Sequence, residues 1–266
     1  MSDDVVLYEF REPGIALLTL NRPDRLNAWN GELAARYFTL LDQAAADPAV
    51  KVIVVTGAGR GFCAGADMDT LQGIGASAGS GGAESAAGGR PQHHTALAVP
   101  KPVIAAVNGA CAGIGMVQAL MCDIRFAAAG AKFTTAFSRR GLIAEYGMSW
   151  VLPRLIGTSR AMDLLFSGRV ILAEEAAAMG LVSEVVPAEH LLDHTLAYAA
   201  ELAVNASPTS MAVMKQQVYA DQTRGVAAAS EDAIELMKAS LRRPDFKEGV
   251  ASFLQKRPPA FQPLGS

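Results

Sequence analysis

The chain has 266 residues, 51% of them apolar, and a formal net charge of −3. That length suits one large domain with a sizeable buried core, and scattered basic residues argue against a nucleic-acid surface. No apolar run reads as a membrane-spanning helix of roughly 20 residues: 102–123 comes closest, but its Asn, Gln and glycines read as buried strand and helix. The acidic start 1-MSDDVVLYEF-10 is unlike a signal peptide, and three cysteines without a CxxC pair point to reduced, buried thiols in a cytoplasmic protein.

Residues 5–10 and 14–20 read as strands joined at Glu12-Pro13-Gly14. The turn-rich 21-NRPDRLNAWN-30 leads to a helix over about 31–46, where Leu33, Tyr37, Leu40, Leu41 and Ala44 recur at helical spacing. Apolar strands follow at 51–56 and 102–107, and strands that apolar, alternating with helices, predict a mainly parallel sheet covered on both faces. Between them, 73-GIGASAGSGGAESAAGGRPQ-92 is low complexity and reads as a mobile flap or disordered loop. From about 144 onward the pattern is almost wholly helical, over 145–156, 159–166, 173–179, 188–205, 208–221, 225–241 and 244–256. The division this suggests is an α/β core over 1–200 and a helical C-terminal region over 201–266.

Several motifs fail on context. The run 57-GAGRGF-62 follows a strand but has Phe62 where a dinucleotide fingerprint needs Gly or Ala. No GK[ST] occurs, Gly75-Ala-Ser77-Ala-Gly79 lacks a preceding strand, and His190 and His194, four apart, lack a third metal ligand. His93 and His94 end the flap segment and read as solvent-facing helix residues, while Asp69 and Glu84, near or in the flap, could approach a substrate only if it closes.

Two stretches carry more: 61-GFCAGADM-68 and 108-NGACAGIGM-116 each read as a strand entering a Gly/Ala-rich turn that opens a helix. Such turns leave backbone N–H groups pointing outward at the positive end of a helix dipole. Two of them meeting at one point can hold the oxygen of a thioester as it becomes negative.

Residues 21-NRPDRLNA-28, 56-TGAGRGFCAGADM-68, 101-KPVIAAVNGACAGIGM-116, 122-CDIRFA-127 and 147-GMSWVLPRLIG-157 together resemble the enoyl-CoA hydratase/isomerase, or crotonase, superfamily across nearly the whole chain. The resemblance implies a crotonase-like spiral of ββα units with a helical C-terminal extension. It implies an acyl-CoA substrate, no further cofactor or metal, and a homotrimer or dimer of trimers built through the C-terminal region. It places the oxyanion N–H groups at Ala66 and at Ile114, between Gly113 and Gly115. Substrate and coenzyme A contacts map onto Arg25, Leu26, Ala28, Ala64, Asp67, Met68, Gly113 and Phe137, with Phe253 and Lys256 reaching the coenzyme of an adjacent subunit.

The acid/base groups decide the reaction. The family's hydratases carry two glutamates at positions that are Val117 and Phe137 here, and neither side chain can hold and deprotonate a water. Glu145 stands where several isomerases, and the nucleophilic dehalogenase branch, place a carboxylate. At a helix start in an apolar setting, its pKa is expected to rise by burial, opposed by the helix dipole. The reading that follows is an isomerase-like enzyme shifting a double bond with Glu145 as acid/base. The alternatives are a hydratase, a thioester hydrolase or dehalogenase, and a binding homologue without chemistry.

Overall fold

The computed structural model describes residues 4–68 and 95–265, so the expected flap, with Asp69, Glu84, His93 and His94, lies outside the described residues. Strands β1 (Val6–Arg11) and β2 (Ile15–Leu20) form an antiparallel hairpin in the register Val6↔Leu20 to Arg11↔Ile15. A 3₁₀ turn at Pro23–Arg25 precedes α1 (Gly31–Ala46). The Asn30 side chain caps α1 by accepting the Leu33 N–H. One face of that helix buries Leu33, Tyr37, Leu40, Leu41 and Ala44, the residues its periodicity picked out, together with Phe38.

Then come β3 (Val52–Gly57), β4 (Gly61–Cys63), α2 (Thr95–Ala98), β5 (Val103–Val107), β6 (Ala110–Ala112) and α3 (Ile114–Met121). They are followed by β7 (Ile124–Ala128), β8 (Lys132–Thr134), a 3₁₀ turn at Ser138–Arg140, α4 (Met148–Ile156) and α5 (Thr158–Ser167). The chain continues through β9 (Ile171–Leu172), α6 (Ala173–Met179), β10 (Glu184–Val186) and α7 (Leu191–Asn205), and closes with α8 (Pro208–Asp221), α9 (Val226–Ser240) and α10 (Pro244–Gln255).

From β3 to β8, successive strands alternate between two sheets. The larger runs β1-β2-β3-β5-β7-β10, parallel from β2 onward, and the smaller runs β4-β6-β8-β9, parallel except at β9. Every residue of β3 and β5 is buried, as expected of parallel strands covered on both faces. One strand in each sheet per repeat, with helices outside, gives the spiral of ββα units.

The C-terminal half departs from the helical reading. β9 and β10 interrupt it, and β10 pairs in parallel with β7 to complete the larger sheet. Residues 188–190 form a 3₁₀ turn rather than the start of α7. Helix α4 begins at Met148, not at 145, because Tyr146 and Gly147 take left-handed φ of 49° and 81°. Helix α7 packs across β2, β3, β5 and β7. α8 is tied to the core through Lys215, whose Nζ donates to the Ala96 and Lys101 carbonyls and, at 2.7 Å, to the Asp123 carboxylate. The Tyr219 hydroxyl donates to the other oxygen of Asp123 at 2.9 Å.

Candidate active site

The smaller sheet brings the two glycine turns together. β4 and β6 are parallel neighbours, with Cys63 opposite Cys111, so both strands deliver their turns at the same end of the sheet. The approach is close: the Gly65 Cα lies 4.0 Å from where a Cβ on Gly113 would stand. A Cβ on Gly65 would sit 3.3 Å from the Ala112 carbonyl, and one on Gly115 would sit 2.2 Å from the Cys63 carbonyl oxygen. Only glycine permits that last contact.

At the turns, Gly113 N–H donates to the Thr134 carbonyl and Val117 N–H to the Gly113 carbonyl. Trp29 N–H donates to the Gly65 carbonyl and Asp67 N–H to the Trp29 carbonyl. Neither the Ala66 nor the Ile114 backbone N–H has a hydrogen-bond partner among the described residues. Ile114 is the first residue of α3, where unpaired N–H groups meet the positive end of the helix dipole.

Glu145 lies three residues before α4, on a turn closed by the Met148 N–H donating to its carbonyl. Among the described residues its carboxylate has no hydrogen-bond or ion-pair partner. Burial alone pushes that carboxyl above the ordinary range. The same turn abuts α3: a Cβ on Gly147 would lie 3.1 Å from the Met121 methyl. Leu142, Ile143 and Tyr146, in the same segment, are exposed apolar side chains.

Where the hydratases carry glutamates, Val117 is fully buried in α3 and Phe137 is buried with its ring edge 4.0 Å from the Cβ position of Gly113. The residues assigned to coenzyme A fall in two places. Leu26, Ala28 and Ala64 are half-buried beside the first turn, with Ala64 N–H donating to the Leu26 carbonyl, while Arg25 and Met68 are exposed. Asp67 is turned inward, its carboxylate 2.8 Å from the Arg22 guanidinium. Phe253 and Lys256 close α10 on the surface, Phe253 being 83% exposed. At the opposite end of the short strands, roughly 10 Å from the turns, a pocket of about 260 Å³ is lined by Leu26, Arg60, Ala110, Ala131 and Lys132.

Sequence reasoning missed the side chains that hold the turns. Asn27, fully buried, accepts the Arg22 N–H through Oδ1 and donates through Nδ2 to the Ala58 and Gly61 carbonyls. Asn108 accepts the Gly57 N–H and donates to the Gly57 and Gly59 carbonyls. His194 faces Glu184 at 3.3 Å, and no cluster of three metal-ligating side chains occurs among the described residues.

Comparison with known proteins places this geometry in a family. Residues 11–263 match the model of the enoyl-CoA hydratase/isomerase family. The 1,2-epoxyphenylacetyl-CoA isomerase of Escherichia coli K12 is 39% identical over 94% of this chain and 95% of its own length. A crystal structure of an enoyl-CoA hydratase from Mycobacterium marinum is 53% identical, with a TM-score of 0.71 over 83% of this chain and all of that one. Another, from Polaromonas sp. JS666, is 31% identical with a TM-score of 0.88 over 97% of this chain and 99% of that one. Identity at this level over nearly the full length, on a shared spiral of ββα units, makes the chain a member of the enoyl-CoA hydratase/isomerase family, within the crotonase superfamily.

Proposed function

We propose that the protein isomerises acyl-CoA thioesters by way of an enolate, with Glu145 as the acid/base and the Ala66 and Ile114 N–H groups as oxyanion donors. The observation that carries this reading is the pair of unpartnered amides on adjoining turns. A carboxylate raised by burial stands on the turn that meets α3 at Met121. The ionised Glu145 takes a proton from C2 of a 3-enoyl-CoA, and the C–H electron pair moves into the thioester, leaving negative charge on the carbonyl oxygen. Both amides donate to that oxygen, and one such donor is worth about 2.7–4 kcal/mol of transition-state stabilisation. Glu145 then returns the proton to C4, which yields the conjugated 2-enoyl-CoA. Val117 and Phe137 leave no carboxylate pair to activate a water at those positions, which favours a proton shift over hydration. The isomerase activity in the name of the Escherichia coli relative agrees with this choice.

The coenzyme would lie along Arg25, Leu26, Ala28 and Ala64, with the cations of Arg60 and Lys132 beside Leu26 suited to its phosphates. We further propose that the chain works as a trimer, Phe253 and Lys256 of one subunit reaching the coenzyme of the next. The exposed apolar residues of α8–α10 support that assembly.

A spectroscopic assay with a 3-enoyl-CoA, run on wild type and Glu145→Ala, tests the reading. Turnover lost in the variant is the expected result. Wild-type hydration of a 2-enoyl-CoA would point to a hydratase, and tight thioester binding without any turnover would point to a binding homologue.

A further inference from the structure

Ala66 lies in a short run, 64–67, bent at Gly65 (φ 106°) and joined to residues 26–29 by a parallel bridge between Ala66 and Trp29. The rungs are Ala64 N–H to the Leu26 carbonyl at 3.0 Å, Trp29 N–H to the Gly65 carbonyl at 2.8 Å, and Asp67 N–H to the Trp29 carbonyl at 2.9 Å. The C=O and N–H of one planar trans peptide point in opposite directions. With the Gly65 carbonyl and the Asp67 N–H both turned toward Trp29, the Ala66 N–H between them is turned away. Gly65 itself lies against Ala112 and Gly113, the turn that opens α3.

One side chain holds both halves of this ladder. Arg22 Nη2 donates to Asp67 Oδ2 at 2.8 Å, with the two side chains only 19% and 7% exposed. Its Nη1 donates to the Ala28 carbonyl, and its backbone N–H is accepted by buried Asn27. The guanidinium therefore bridges the 22–28 turn to the residue that follows Ala66. A buried ion pair gives little net stability over apolar packing of the same shape. What this one supplies is orientation.

We propose that Arg22 and Asp67 are positioning residues for the oxyanion site, their ion pair fixing the Ala66 peptide with its N–H facing the start of α3. This inference rests on the reading of the site given above, and it assigns Asp67 to orienting the Ala66 amide rather than to holding coenzyme A. Misplacing a reacting group by about 1 Å costs on the order of 100-fold in rate. Loss of the clasp should therefore lower turnover and leave thioester affinity nearly untouched.

Exchange of the C2 protons of butyryl-CoA in D₂O reports enolate formation whatever reaction follows it. Measured on wild type, Asp67→Asn and Arg22→Lys, the maximal exchange rate is expected to fall about 10- to 100-fold in both variants. The half-saturating butyryl-CoA concentration should move by less than about twofold if affinity is spared. Arg22→Lys keeps the buried charge balanced but loses the fork, which guards against a variant that simply fails to fold. Backbone amide exchange should show the Asp67 and Trp29 N–H groups losing protection in the same variants. A raised half-saturation at an unchanged maximal rate would make Asp67 a coenzyme contact and overturn the proposal. Folded variants with wild-type exchange would overturn it as well. No C2 exchange by the wild type would instead overturn the reading of the site itself.

Discussion

Glu145 is a half-buried carboxylate with no cation beside it among the described residues, and its folded-state pKa lies above that of an exposed glutamate. Two consequences follow at this residue. As a base it must be ionised, so the acid limb of kcat/KM should sit at a higher pH than an ordinary carboxylate gives. As a buried acid it favours the folded state while protonated. That contribution is full below the unfolded-state pKa and is lost as pH rises through the raised folded value. Glu145→Gln keeps the shape and removes the charge. The variant should lose about 10²- to 10⁴-fold in kcat, yet melt no lower than wild type at neutral pH, with the two curves merging in acid. A clearly lower neutral-pH melting temperature would mean that the carboxylate has a stabilising partner. Burial acts in the same direction on the thiols, pushing Cys63 and Cys122 up to about 12 and Cys111 well above the ordinary thiol value, so none is a nucleophile near neutral pH.

At the scale of elements, the site depends on how near β4 and α3 come to each other. Gly115→Ala would drive a methyl group into the Cys63 carbonyl oxygen, and backbone cannot yield as a flexible side chain can. The expected loss is at or beyond the top of the ~1–3 kcal/mol range for overpacking, read from the denaturant midpoint. Gly31→Ala is the control, since nothing stands within 4 Å of its Cβ position at the start of α1. There a gain of about 0.4–1 kcal/mol is expected. Lys215→Met tests the joint between α8 and the core. It strands Asp123 without its cation, and removing one partner of a buried pair costs about 3–5 kcal/mol. Much of this framework was readable from the amino acids. Apolar β3 and β5, the heptad-like face of α1 and the two glycine motifs each follow local periodicity or turn chemistry. Strands of two or three residues, such as β9 and β10, are too short to show a period. The late start of α4 depends on left-handed Tyr146, a conformation a bulky residue rarely adopts and no pattern announces. Asn27 and Asn108 work through side-chain bonds to backbone 31 to 51 positions away, and Arg22 through a carboxylate 45 positions away. Such cross-links leave no trace in spacing.

For the whole molecule, the contrast lies between a densely packed two-sheet core and C-terminal helices that keep apolar side chains on the outside. α9 buries none of its residues, and on α10 Phe246, Val250, Phe253 and Leu254 recur at helical spacing on the exposed surface. A continuous apolar stripe on a monomer is poorly stable in water and marks an interface. The same stripe ends at Lys256, which takes a left-handed φ of 54° and caps α10 through bonds to the Phe253 and Ser252 carbonyls. If a second copy covers this face, Phe253→Asp places a charge in a desolvated contact, and the assembly should fall apart to monomers in light scattering. Lys256→Ala leaves the stripe intact and should keep the assembly, while raising KM for the acyl-CoA if its ammonium reaches the neighbour's coenzyme. The two variants separate packing from ligand contact. Lys256→Ala with wild-type KM would confine α10 to assembly, and Phe253→Asp that stays associated would place the subunit contact on another face.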